Sequence, residues 1–227
     1  MKAIVSLSGG MDSTTVLALA IKLEKDVISV GFTYGSKHNK YENEAAERIA
    51  SHYGISFRLI DLSQVMSGFK SDLLLSGDSI PEGHYEEESM RRTVVPARNI
   101  IFCSVLTGIA VSEDAEQIWL GVHAGDHFIY PDCRPEFIRV MQATIQCGTE
   151  RAIVLITPFL HSTKKHILQE GLLLKVPYHL TRTCYKDQTV ACGRCGSCQE
   201  RLAAWKEIGE DDPLEYESRE IMPKGTA

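Results

Sequence analysis

Five short runs rich in β-branched residues, "AIVSL", "VISVGFTY", "SFRLIDL", "QIWLGV" and "AIVLITP", alternate along the chain with helical patterns near residues 12–24, 40–53, 98–113, 135–147 and 163–174. A crossover between parallel strands needs a dozen or more residues, and a helix is the usual solution. The alternation therefore predicts an α/β fold, a doubly wound, mostly parallel sheet with helices on both faces. Ligands of such sheets sit beyond the carboxyl ends of the strands. That rule marks the connections at residues 8–13, 34–40, 122–134 and 157–164 as candidate functional loops.

The first of these reads "SLSGGMDS" between a strand and a helix. Gly9 and Gly10 let backbone approach an anion closely, and the first amides of the helix point at it with the positive end of the dipole. Ser8, Ser13 and Thr14 add hydroxyl groups. The lysine of the common GxxxxGK[ST] phosphate loop is absent. An ordinary βα turn capped by Asp12 or Ser13 is the bland alternative that these local features leave open.

The balance of 24 basic and 30 acidic residues, a net charge of -6, argues against a broad basic face for nucleic acid. The longest apolar run, "IIFCSVLTGIAV", is quickly followed by "SEDAEQ" and is too short to span a bilayer, and no apolar leader follows the start. A cytoplasmic protein with no membrane partner is expected. Residues 63–95 are polar and acidic, with a short helix expected near "DLLL", and read as a long insertion or lid. Beyond Trp205 the charged tail is expected to pack loosely or to join another subunit of a homodimer.

Four of the seven cysteines, Cys184, Cys192, Cys195 and Cys198, crowd into "CYKDQTVACGRCGSC". The C-x7-C-x2-C-x2-C spacing places thiolates on tight turns and can close a tetrahedral site, with Gly193 and Gly196 shaping the knuckle. Structural Zn(II) is favoured over an iron–sulfur cluster, because the ferredoxin run is not matched. Four protein ligands leave no position for activated water, so this metal is expected to fold the chain. The chain is thus expected to divide into an α/β domain at 1–180 and a zinc-binding element with tail at 181–227.

"SGGMDS" resembles the SGGxDS signature of the PP-loop ATP pyrophosphatases, which cleave ATP to AMP and pyrophosphate. Together with "FTYGSKH", "VPARNIIF", "GVHAGDHFIYPDCRPEF" and the cysteine string, it resembles the QueC family of 7-cyano-7-deazaguanine synthases over most of the chain. The resemblance implies conversion of 7-carboxy-7-deazaguanine and ammonium to the nitrile preQ0 through an acyl adenylate and an amide, with ATP as substrate, Mg(II) as helper and one structural zinc. It assigns Ser8, Gly9, Gly10, Met11, Asp12 and Ser13 to ATP binding. Asp12, Lys37, Arg98, Asp132, Arg134 and Lys164 are the expected catalytic groups, and His127, Phe128, Tyr130 and Asp132 the expected substrate contacts. Two departures stand out. Ser36 replaces a usual glutamine, and "GDHFIYPDC" lacks a glutamate and a Ser-Gly step, which leaves His127 as the expected proton acceptor. A relative that stops at the amide or joins another amine, and a PP-loop tRNA-modifying enzyme, are the alternatives.

Overall fold

The computed structural model of the chain describes residues 1–24, 26–84 and 88–223. Its sheet holds five parallel strands, β1 (Lys2–Ser6), β2 (Asp26–Thr33), β3 (Ser56–Asp61), β4 (Gln117–Trp119) and β5 (Val154–Ile156), in the order β3-β2-β1-β4-β5. The expected helices form as α1 (Met11–Leu23), α2 (Asn39–Tyr53), α3 (Arg98–Ser112), α4 (Pro135–Gly148) and α5 (Lys164–Leu173). A sixth, α6 (Gly196–Ile208), was not foreseen.

β1 lies at the centre, with Ala3 opposite Val27 on one side and Gln117 on the other. Both of its faces are covered, which is why its apolar run is unbroken. Ile4 packs with Val30, Leu106 and Ile118 towards α3, whereas Ala3 and Val5 pack with Val16, Ile49 and Ile167 towards α1, α2 and α5. The chain moves outward from β1 to β3 and then returns to the other side at β4. That reversal opens a crevice between the carboxyl ends of β1 and β4.

The described part of the insertion folds against this body. "DLLL" forms turns rather than a helix, because Ser71 Oγ accepts from the Leu73 amide (3.2 Å) and Gly77 N donates to Leu74 O (2.9 Å). Its one helical piece is a 3-10 helix at Glu88–Thr93. Met66, Leu73, Ile80 and Met90 are buried in the main core. Residues 85–87 of this segment lie outside the described residues.

The charged tail also corrects its expectation. Asp212 is buried against Arg201, with bonds of 2.6 Å from Nε and 2.9 Å from a terminal nitrogen, and the side chains are 0% and 1% exposed. Tyr216 donates to the same carboxylate (2.7 Å), and Met222 N donates to Gln199 Oε1 (2.7 Å). The tail therefore wraps α6 and the cysteine element as far as the last described residue but one. Gly193 makes this possible, since at φ +72° it lies so close to Ser218 that a Cβ would sit 1.7 Å from the Ser218 carbonyl oxygen. Asp212→Ala should lower the unfolding free energy by about 3–5 kcal/mol in chemical denaturation, because it strands a buried guanidinium. An unchanged denaturation midpoint would count against this packing.

Candidate active site

The crevice is lined by segments from both halves of the chain. Ser8, Gly10, Met11, Asp12 and Ser13 come from the β1–α1 turn, Phe32 and Tyr34 from the end of β2, and Leu120 to Val122 follow β4. Gly9 has φ +80°, and a Cβ there would meet Glu42 O at 2.6 Å and Ala46 N at 2.7 Å. Only glycine lets the turn lie this close to α2. Ser8 and Ser13 hydroxyls stand 3.0 Å apart, and Ser13 and Thr14 both donate to Gly10 O (3.2 and 2.7 Å). No side chain caps α1 at Gly10, so its first amides remain directed at the crevice.

Above the turn lies a cluster of charges. Lys164 Nζ stands 2.6 Å from Asp12 Oδ2, 2.9 Å from Glu200 Oε2 and 2.9 Å from His123 Nε2. Burial works against the Asp12 carboxylate, but Lys164 and His123 outweigh it and hold its pKa below 3.8. Burial also opposes the Lys164 charge, yet Asp12 and Glu200 outweigh it and raise that pKa well above 10.5. Glu200 moves the other way, its carboxyl raised by burial despite Lys164. Asp126 receives the His123 amide (3.4 Å) and stands 3.6 Å from His123 Nε2. Asp12 Oδ1 is buried and has no hydrogen-bond partner among the described residues.

The opposite wall is aromatic and cationic. Phe32 stacks on Phe102 at 4.0 Å between ring centroids, and Tyr34 meets Phe102 edge-on at 5.6 Å. Arg98 lies 6.0 Å from the centroid of Tyr130 and has no ion-pair partner among the described residues. Burial opposes its charge, but the surrounding Tyr34, Cys133 and Asp132 raise its pKa. Tyr185 and His38 complete this side, with ring centroids 5.3 Å apart.

Not every expected residue reaches the crevice. Lys37 spends its ammonium on the carbonyls of Asp72 (2.8 Å), Gly77 (3.1 Å) and Asp78, pinning the insertion. The Asp132 carboxylate accepts the Asn99 amide (2.8 Å) at the start of α3, where left-handed Ala97 offers no side-chain cap. Arg134 Nε donates to His127 O (2.9 Å), and Phe128 is 52% exposed on the rim. Asp132, Arg134, Lys37, His127 and Phe128 are absent from the lining, whereas Ser8, Gly10, Met11, Asp12, Ser13, Arg98, Tyr130 and Lys164 belong to it. Glu42, Asp126, Arg182, Tyr185 and Glu200 line it without having been singled out.

The four thiols form the second candidate centre. Their Sγ atoms all lie within 4.8 Å of one another, and all four cysteines are buried. Backbone amides of Lys186 and Cys192 point at Cys184 Sγ (both 3.4 Å), and those of Arg194 and Cys195 at Cys192 Sγ (3.4 and 3.3 Å). Buried sulfurs that gather amide donors fit thiolates around one cation, and a donor set of sulfur alone suits zinc.

The queuosine biosynthesis protein QueC family model matches residues 2–209. The chain belongs to the QueC family. A 7-cyano-7-deazaguanine synthase of Marinomonas sp. (strain MWYL1) is 46% identical over 217 residues, spanning 96% of this chain and 99% of that relative. One of Pseudoalteromonas atlantica is 45% identical, spanning 95% of this chain and 99% of its own. Among solved structures, the U34-tRNA thiolase NcsA of Methanococcus maripaludis superposes with a TM-score of 0.51 at 13% identity, covering 92% of this chain and 65% of its own. The NMN synthetase of Francisella tularensis does so at 0.50 and 12%, covering 92% and 78%. At such identities these two share with the QueC family member the fold alone. Asp12 of "SGGMDS" and Arg98 of "VPARN" line one cavity although they lie 86 positions apart in the sequence.

Proposed function

We propose that the chain is an ATP-dependent 7-cyano-7-deazaguanine synthase, acting on 7-carboxy-7-deazaguanine and ammonium. The observation that carries this reading is the near full-length similarity to synthases of that name, at 46% identity. The crevice supports it chemically. A carboxylate resists amines because oxide is a poor leaving group, and transfer of AMP to it supplies a good one. The β1–α1 turn offers backbone amides to the departing pyrophosphate, and Lys164 stands beside it as a fixed cation. Arg98, without a carboxylate partner of its own, suits the substrate carboxylate or the α-phosphate. Tyr34, Tyr130 and Phe102 offer flat faces to a heterocycle.

Asp12 Oδ1, buried and without a partner, fits as a ligand for Mg(II), which would neutralise charge on the phosphates. Ammonia attacking the acyl adenylate gives the amide. A second adenylation, on the amide oxygen, then lets AMP leave as the carbon–nitrogen triple bond forms, so that two ATP are consumed. The cysteine centre as a zinc site belongs to the same proposal, and so does a cytoplasmic homodimer. Among the described residues no helix is long and apolar enough to cross a membrane.

Mass spectrometry of the products from 7-carboxy-7-deazaguanine, ATP and ammonium tests the reading. The nitrile is expected, with two AMP and two pyrophosphate for each. ADP as the nucleotide product would exclude the proposed chemistry. Amide that accumulates at one AMP per product would instead identify an amide-forming relative.

A further inference from the structure

Four carboxylates line the crevice, and three of them are committed. Asp12 and Glu200 hold Lys164 at 2.6 and 2.9 Å, and Asp126 is engaged with His123. Glu42, in the first turn of α2, differs. Among the described residues only His38 approaches its carboxylate within ion-pair distance, at 3.3 Å, and the Glu42 side chain is 17% exposed. Burial lowers the His38 pKa to about 3, with Arg98 and Arg182 acting in the same direction, so at neutral pH that imidazole carries no charge to neutralise Glu42.

Ammonium poses a specific problem for the proposed reaction. It is protonated near neutral pH and has no lone pair with which to attack an acyl carbon. A crevice that binds the ammonium ion itself therefore needs a group that takes one proton. His127 does not line the crevice, and its Nε2 is buried, which removes it from that task. We infer that Glu42 is the general base that deprotonates ammonium in this crevice, an inference that rests on the synthase reading. Glu42 takes one proton, the nitrogen lone pair forms the C–N bond, and the C–O bond to the phosphate breaks. AMP leaves with that electron pair, and the second proton passes to solvent.

The surroundings tune such a base. Burial raises the Glu42 carboxyl to about 8, against the pull of Arg98 from α3 and Arg182 from the segment before the cysteines. His38 faces it from the turn before α2, and Tyr34 from the end of β2 senses its charge. A carboxyl titrating near the working pH is better matched to proton abstraction than an ordinary one. Glu42 must be ionised to accept the proton, so amide formation at saturating total ammonium should rise as the pH climbs through about 8.

Hydroxylamine separates this role from a structural one, because it is already an uncharged nucleophile at neutral pH. In Glu42→Gln, ammonium-dependent amide formation is expected to fall by about 100-fold or more. Hydroxamate formation with hydroxylamine, whose lone pair needs no prior deprotonation, should fall by less than about 10-fold. Equal losses with both nucleophiles, or no loss with ammonium, would overturn the inference. So would a wild-type pH profile that is the same for ammonium and hydroxylamine, a measurement that does not depend on the variant folding. A wild-type enzyme that makes neither AMP nor amide would refute the synthase reading itself, and is thereby distinguished.

Discussion

Lys164→Met should reduce turnover by about 100- to 1,000-fold, the loss typical of removing one preorganised charge from a transition-state site. It should also destabilise the fold by about 3–5 kcal/mol, because it leaves the largely buried Asp12 and Glu200 carboxylates without their cation. The ammonium is 13% exposed and bridges Asp12 and Glu200 at 2.6 and 2.9 Å, whereas His123 Nε2 stays 3.8 Å from an oxygen of each. The pH dependence gives the loss a signature. Asp12 has its folded pKa held below 3.8, so its pairing contributes stability above that pH and loses it as the pH falls through the lowered value. Without Lys164 the two carboxylates would gain protons more readily folded than unfolded, and mild acidification would stabilise the variant. Denaturation at several pH values, alongside AMP release, reads both effects. Wild-type turnover in Lys164→Met, or an unaltered acid limb, would show that the bridge is not central.

Metal removal should have the largest effect on folding. Structural zinc in small domains supplies roughly 10–16 kcal/mol of apparent binding free energy, comparable to the whole stability of a domain, about 5–15 kcal/mol. The four thiols here have no disulfide and are fully buried, so without a cation they crowd four sulfurs within 4.8 Å for no bond gained. Elemental analysis should find one zinc per chain. Cys195→Ser, or a strong chelator, should release it and unfold α6 with the tail, seen in the fluorescence of buried Trp205. Stoichiometric iron and sulfide would refute zinc, and a Cys195→Ser protein keeping both metal and thermal stability would refute the centre.

The strands and five helices could be read from the chain because unbroken apolar runs such as that of β1, and the longer apolar stretches between them, are local information. "QERLAAWKEI" holds good helix formers as well, yet the sequence expectations contain no helix there, and α6 emerges only in the structure. The crevice was half legible. Asp12, Arg98 and Lys164 sit in short strings whose chemistry is evident, and they converge. Lys37, Asp132 and Arg134 sit in equally distinctive strings, yet they bind backbone: carbonyls of the insertion, the amide that opens α3, and the carbonyl of His127. A motif shows that a position matters without showing whether it holds a ligand or holds the loop. Glu42, Arg182 and Glu200 carried no local signal, since each becomes functional only through neighbours far away in sequence.

The Arg182 amide donates to Gly9 O (2.8 Å), and Glu200 reaches Lys164 from beyond the cysteines, so the first loop of the chain is completed by its last fifth. Translation proceeds from the other end. A ribosome-bound chain can therefore assemble most of its sheet while its phosphate loop still lacks these partners, and it cannot acquire them until the segment that carries the four thiols has been made. In a cell short of the cation for those thiols, newly made protein would stay idle instead of burning ATP without product. With a cation in the cysteine site, the supply of a trace element would license the expenditure of a far more abundant fuel.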